Sequence, residues 1–239
     1  MRRSHSKLEI FFETVIHGCS RSFPALLFVL LTVTCDAGQA VVPVKNTGKN
    51  PVVLVHGIGD DARTMEPMAR SLLCEGRKPY SVTLKPNGGQ AGLDELAGQL
   101  DRFVGAKISP GQRFDLVGFS MGGLVCRYYL QRMGGLQRVE HFITLAAPHH
   151  GTLMAWLSWN RGGEQMRPDS AFLRDLNRDI ASLGQIKFTS IWTPLDLMII
   201  PAASSHTGIG RELKIWMPAH PLMALHPECI RAVVAELQR

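Results

Sequence analysis

The sequence has no internal repeat, no low-complexity tract and no glycine pattern of the kind that cradles a dinucleotide or a phosphate. Charge is sparse. Only 19% of the 239 residues are charged while 45% are hydrophobic, a balance that excludes a disordered chain and a polytopic membrane protein. The formal charge is +6, but the basic residues are scattered and are not interleaved with aromatics, so a nucleic-acid surface is not expected. A mildly basic surface would also suit contact with anionic lipid. Metal-ligand clusters are missing too. His149 and His150 are adjacent, yet neighbouring residues do not project together on a regular element, and no cysteine or carboxylate cluster accompanies them. No metal site is expected.

No comfortable bilayer span appears either. The apolar run from Phe23 to Val33 falls short of the roughly 18 residues such a span takes. Arg2, Arg3, Lys7 and Arg21 precede this run, and the small residues Ala37, Gly38 and Ala40 follow it. A basic flank, a short apolar stretch and small residues describe an export signal, with cleavage expected after Ala40. The expected protein is therefore exported, to the periplasm or beyond, and an uncleaved membrane anchor is the alternative. Residues 41–50 read as a polar linker, and 51–239 as one domain of a length that supports a sizeable core. Cys19 and Cys35 fall in the leader. Cys74, Cys126 and Cys229 remain, an odd count that leaves at least one thiol outside any pairing within the chain.

What the domain does contain is alternation. Pro51–His56, Tyr80–Leu84, Phe114–Phe119, His141–Ala146, Ile186–Trp192 and Leu213–Met217 read as strands. Met65–Cys74, Leu93–Val104, Ser120–Met133, Ser170–Leu183 and Pro227–Leu237 read as helices. Six strands interleaved with helices imply a mostly parallel sheet covered on both faces. The segment Leu153–Arg167 fits neither a strand nor a long helix, and interrupts the alternation where a flap could sit.

The chemistry centres on Gly118-Phe119-Ser120-Met121-Gly122, a G-x-S-x-G motif. A strand runs into it and a helix leaves it, so the serine is expected on a tight elbow at a helix N-terminus, where backbone N–H groups favour developing negative charge. An ordinary glycine-rich turn with a capping serine is the plainer reading of the same residues. His56-Gly57-Ile58-Gly59 follows the first strand. Its loop is expected to supply one N–H to an oxyanion, from Ile58, and Met121 the other. His56 itself reads as a structural hydrogen-bonder, and Asp115 as structural.

A serine needs a base, and the base needs an orienting acid. Asp196, after the fifth strand, is the acid candidate, against a solvent-facing turn aspartate. His220, in the loop after the last strand, and His226, just before Pro227, are both base candidates, with His220 preferred. Trp156 and Trp159 are candidates for binding apolar acyl groups on a short mobile flap, against the alternative that both tryptophans pack in the core.

The chain resembles small bacterial lipases and esterases of the α/β-hydrolase superfamily, in the triacylglycerol-lipase-like branch. The matching pieces are Val55-His56-Gly57-Ile58-Gly59, Gly118-Phe119-Ser120-Met121-Gly122-Gly123 and Thr144-Leu-Ala-Ala-Pro148-His-His-Gly-Thr152, with Asp196 before Pro201 and His220 before Pro227. The resemblance implies an α/β-hydrolase fold with a reduced lid, nucleophile Ser120, acid Asp196, base His220 and oxyanion donors Ile58 and Met121. It implies an ester or lipid substrate and no cofactor. Acyl transfer to another acceptor, thioester cleavage, and a non-catalytic lipid-binding role on the same fold are the alternatives.

Overall fold

The computed structural model describes residues 48–239. The expected leader at 1–40, residues 41–47 of the expected linker, and Cys19 and Cys35 lie outside the described residues. Along the domain run β1 (Val52–Val55), α1 (Glu66–Cys74), β2 (Pro79–Val82), α2 (Leu93–Lys107), β3 (Phe114–Phe119), α3 (Met121–Arg132) and β4 (Val139–Leu145). They are followed by α4 (Arg161–Met166), α5 (Ala171–Arg178), β5 (Lys187–Trp192), β6 (Arg211–Lys214), α6 (Leu222–Leu225) and α7 (Pro227–Glu236).

The six strands form one sheet in the order β2-β1-β3-β4-β5-β6, and every neighbouring pair is parallel. Parallel strands need crossovers, and the crossovers cover both faces. Side-chain alternation then divides the core. Val53, Val55, Phe114 and Leu116 pack with Leu96 and Leu100 of α2 and Leu124 of α3. Val52, Leu54, Val117 and Phe119 pack on the other face with Met68 and Leu72 of α1 and Ile230 and Val233 of α7. That is why β1 is apolar at all its positions rather than at every second one.

Several bounds shift: β2 ends at Val82 and not Leu84, and α2 runs on to Lys107. The last strand is Arg211–Lys214, not Leu213–Met217, because its register pairs Arg211 with Thr189 and Lys214 with Trp192. Ile215 and Met217 are buried all the same, beyond the paired stretch. The helix expected over Ser170–Leu183 stops at Arg178 and continues as a 3-10 turn over Ile180–Gln185. Ser170 caps its start by accepting the Leu173 N–H at 3.1 Å. No helix among the described residues is long and apolar enough to cross a membrane.

Asp115 anchors the end of β3 remote from Ser120. The carboxylate is fully buried, takes Arg77 Nη1 at 2.5 Å, and accepts from the His141 ring Nδ1 at 2.8 Å and the His141 backbone N–H at 3.1 Å. Arg77 also donates to the carbonyl of Leu237, so one guanidinium joins β3 to the far end of α7. Removing one partner of such a pair strands the other charge away from water. Asp115→Ala is expected to lose about 3–5 kcal/mol of stability, measured by urea denaturation, whereas Asp115→Asn, which keeps an acceptor for His141, should lose less.

Candidate active site

β3 delivers its last residue, Phe119, to a sharp turn, and α3 starts at Met121. Between them Ser120 sits at φ 52° and ψ −123°, a left-handed conformation that non-glycine residues rarely adopt. The surroundings hold it there. Its N–H donates to the Leu145 carbonyl at 2.8 Å, and its own carbonyl accepts from Gly123 at 2.9 Å. The two flanking glycines are required by close approach rather than by flexibility. A Cβ on Gly118 would lie 2.7 Å from the Gly123 Cα, and one on Gly122 would lie 2.7 Å from the Val55 carbonyl oxygen. The elbow is thus wedged between β3 and the end of β1.

Ser120 Oγ lies 2.9 Å from His220 Nε2, and His220 Nδ1 lies 2.7 Å from Asp196 Oδ2. The carboxylate can only accept, so Nδ1 carries the proton and Nε2 presents its lone pair to the serine hydroxyl. All three residues are buried. The imidazole also rests on the Phe119 ring, with centroids 5.0 Å apart. The other oxygen of Asp196, Oδ1, accepts the N–H groups of Met198 and Ile199, each at 2.9 Å. Asp196 is therefore not a solvent-facing turn residue. His226 does something else: its ring nitrogen accepts the Glu228 N–H at 3.3 Å and caps α7.

The loop after β1 is pinned beside this cluster. His56 has both ring nitrogens engaged, Nδ1 donating to the Gly57 carbonyl at 2.7 Å and Nε2 accepting the Leu84 N–H at 2.9 Å. Gly59 donates to Asn87 at 2.9 Å, and the Asn87 amide donates back to the Asp60 carbonyl at 2.6 Å. Met121, as the first residue of α3, has an N–H with no intrahelical acceptor. The Ile58 N–H has no acceptor among the described residues. Burial pushes the Asp60 carboxyl above the ordinary aspartate range, while the Thr64 side chain and the charges of His56 and His220 pull it back. Asp60 is a second acid within electrostatic reach of His220 that the motif reading passed over.

Two threonines brace the Asp196 loop: Thr152 closes the Thr144–Thr152 piece that carries the resemblance, whereas nothing local marks Thr193. Thr193 Oγ1 donates to the Met217 carbonyl at 2.8 Å and accepts from Leu195 and Met217, each at 3.2 Å, which ties the acid turn to the segment leading to His220. Thr152 Oγ1 donates to the Met198 carbonyl at 2.7 Å. These contacts join residues 24 and 46 positions apart, so periodicity cannot reveal them.

The segment after Thr152 is a 3-10 turn, Leu153–Leu157, followed by α4. It is tied to the loops on both sides of it. Leu153 N–H donates to Ile200 at 2.8 Å, Gly162 N–H to Gly89 at 2.8 Å, and the Asn160 amide to Gly88 at 3.1 Å. A loop with this much peptide group to satisfy recruits partners from both neighbouring loops. Neither tryptophan packs in the core: Trp156 is 55% exposed and Trp159 87%. The Arg167 guanidinium lies 4.6 Å from the Trp156 ring and 5.9 Å from that of Trp159. Neither indole belongs to the hydrogen-bonded Ser120 cluster.

His149 is fully buried, and its Nε2 meets Thr144 Oγ1 at 3.1 Å, while His150 Nδ1 faces the Asn177 amide at 3.3 Å. Burial holds the His149 ring neutral, well below the usual histidine range. No group of three His, Cys, Asp or Glu side chains that could hold a metal occurs among the described residues.

A family model for palmitoyl protein thioesterase matches residues 51–157, the stretch that contains Ile58, Ser120 and Thr152. Among solved structures, Aspergillus fumigatus lipase B is similar at 19% identity and a TM-score of 0.70, over 84% of this chain and 55% of that one. This chain thus spans about half the length of the fungal protein. The mature form of Bacillus licheniformis lipase BlEst2 is similar at 17% identity and a TM-score of 0.65, over 80% of this chain and 93% of that one. A Listeria innocua gene product is similar at 16% identity and a TM-score of 0.61, over 80% and 94%. With the six-stranded parallel sheet, these likenesses show the α/β-hydrolase fold.

Proposed function

We propose that this α/β-hydrolase domain is a serine hydrolase that cleaves carboxylic esters through an acyl-enzyme on Ser120. The observation that carries the reading is the relay of 2.9 Å and 2.7 Å from Ser120 through His220 to Asp196, set at a strained elbow. Ser120 Oγ attacks the ester carbonyl carbon as its proton passes to His220 Nε2. The carbonyl oxygen takes the charge and is held by the N–H groups of Ile58 and Met121. The tetrahedral intermediate collapses, His220 returns the proton to the departing alkoxide, and an alcohol leaves. Water then gives a proton to His220 and attacks the acyl-serine, and the acid departs as the serine is reprotonated. Asp196 stabilises the imidazolium in both halves. No cofactor enters the scheme.

Thioester cleavage is the second reading, favoured by the match of residues 51–157 to the palmitoyl protein thioesterase model. The same steps expel a thiolate, which needs less help from the acid. Oxoester and thioester substrates with one common acyl chain decide between them by the ratio of their kcat/KM values. Failure to cleave either, with the protein folded, would overturn the hydrolase reading.

Leu153, Trp156, Leu157 and Trp159 are exposed, as are Leu195 and Leu197 of the acid loop that Thr152 ties to the same segment, and together they are the proposed rim for an acyl chain. A turn this short cannot cover a broad cleft, so soluble short-to-medium esters are the proposed substrates, with little rise in rate at a lipid–water interface. In an acyl-chain series, Trp156→Ala with Trp159→Ala should change the preference between short and medium chains by about tenfold. Stability should stay within about 0.5 kcal/mol, because both indoles are exposed. An unchanged chain-length profile would remove the rim from the substrate site.

A further inference from the structure

We propose that Thr152 is a positioning residue for Asp196, acting through one hydroxyl that holds the acid loop and the apolar turn as a single unit. This rests on the reading of Asp196 as the acid that orients His220.

The Thr152 hydroxyl is buried and all its capacity is used. It donates its proton to the Met198 carbonyl at 2.7 Å and accepts the N–H of Ile200 at 2.9 Å. The remaining lone pair takes the Met154 N–H at 3.3 Å, which caps the 3-10 turn Leu153–Leu157. Met198 is also the residue whose N–H goes to Asp196 Oδ1, and Ile199, the second donor to that oxygen, lies between the two residues Thr152 grips. The peptide groups that orient the carboxylate are therefore clamped on either side by one side-chain oxygen.

The clamp extends outward. Leu153 N–H donates to the Ile200 carbonyl at 2.8 Å, and the Ser204 hydroxyl donates to the Gly151 carbonyl while accepting the His150 N–H at 3.1 Å. Residues 150–153 and 198–204 are thus laced together, and Thr152 is the lace nearest the acid. A shift of the loop after Asp196 would rotate Oδ2 away from His220 Nδ1. A misplacement of about 1 Å in such a constellation costs about 100-fold in rate.

The test is a double-mutant cycle between Thr152→Val, which keeps the shape and removes both hydrogen-bonding roles, and Asp196→Asn. Thr152→Val alone should lower kcat by about 100-fold with a much smaller rise in KM, since two of the three lost bonds hold the acid loop and only the longest caps the apolar turn. Thr152→Ser should restore most of kcat. In the Asp196→Asn background, Thr152→Val should cost less than about twofold more, because the group it positions is already lost. Equal losses in both backgrounds, wild-type kcat in Thr152→Val, or a serine variant as poor as the valine variant would overturn the proposal. If the valine variant does not fold by circular dichroism, Thr152→Ala carries the same cycle. Wild-type kcat in Asp196→Asn alone would instead overturn the acid assignment, so the two failures are separable.

Discussion

Replacing Ser120 with alanine is expected to lower kcat for ester hydrolysis by about 10⁶-fold and to abolish labelling by an organophosphonate at the peptide that contains it. Without Oγ, His220 Nε2 has no hydroxyl at 2.9 Å to activate. Water can still reach the N–H groups of Met121 and Ile58, so a trace of activity should survive from the oxyanion site alone. The elbow adds a second readout that an ordinary surface serine would not give. Ser120 is held at φ 52°, so alanine, which keeps the Cβ, does not relieve the strain. Ser120→Gly does, and should be as inactive as Ser120→Ala but more stable to urea by about 1 kcal/mol, the strain relieved less the entropy that glycine loses on folding. A glycine variant no more stable than the alanine variant would show that the turn stores no strain.

The second large effect separates two histidines six residues apart. His220→Ala removes the group that bridges Ser120 and Asp196, and kcat should fall by about 10⁶-fold. His226→Ala removes only the acceptor of the Glu228 N–H at the start of α7. It should leave kcat intact and cost about 1 kcal/mol in urea denaturation, the ordinary loss of a helix cap. Phosphonate labelling of Ser120 checks the same division, slow in the first variant and at the wild-type rate in the second. The reverse pattern would move the base to His226.

Legibility in the sequence followed locality. β3, the elbow and α3 are contiguous, and the run Phe114–Phe119 with glycines at 118 and 122 on either side of Ser120 announces a strand, a close turn and a helix without help from the rest of the chain. Asp196 and His220 could be ranked because each follows a strand of the same sheet. The structure brings both to Ser120. The end of the chain read less well. Ile215 and Met217 carry the apolar alternation of a strand, but they are buried in the cluster that holds Ile191 and α7, while the ladder closes at Lys214. The apolar turn shows in the sequence as a break in alternation rich in apolar side chains, without its partners. The segment that carries Trp156 is held by the carbonyls of Gly89 and Ile200, far from it in sequence, and Trp156 itself meets Arg167. Thr193 was invisible as a brace for the same reason, and the resemblance marks Thr152 only as the end of a matching piece, not the partner it holds. A hydroxyl that bonds across 46 residues leaves no period, and threonine occurs too widely to be a signal by itself.

The position of β6 bears on how the protein fails under stress. It is a four-residue edge strand, exposed along most of its length and paired only with β5. Local opening starts where a strand has one neighbour and little buried surface. Yet the chain must pass through this strand to bring His220 back past β5 and β4 to the end of β3. Fraying of the edge therefore releases the imidazole while β1, β3 and β4, buried on both faces, still stand. The weakest rung of the ladder carries the most exacting group, so inactivation by heat or denaturant need not wait for the core to melt, and a preparation with intact circular dichroism can already be catalytically silent.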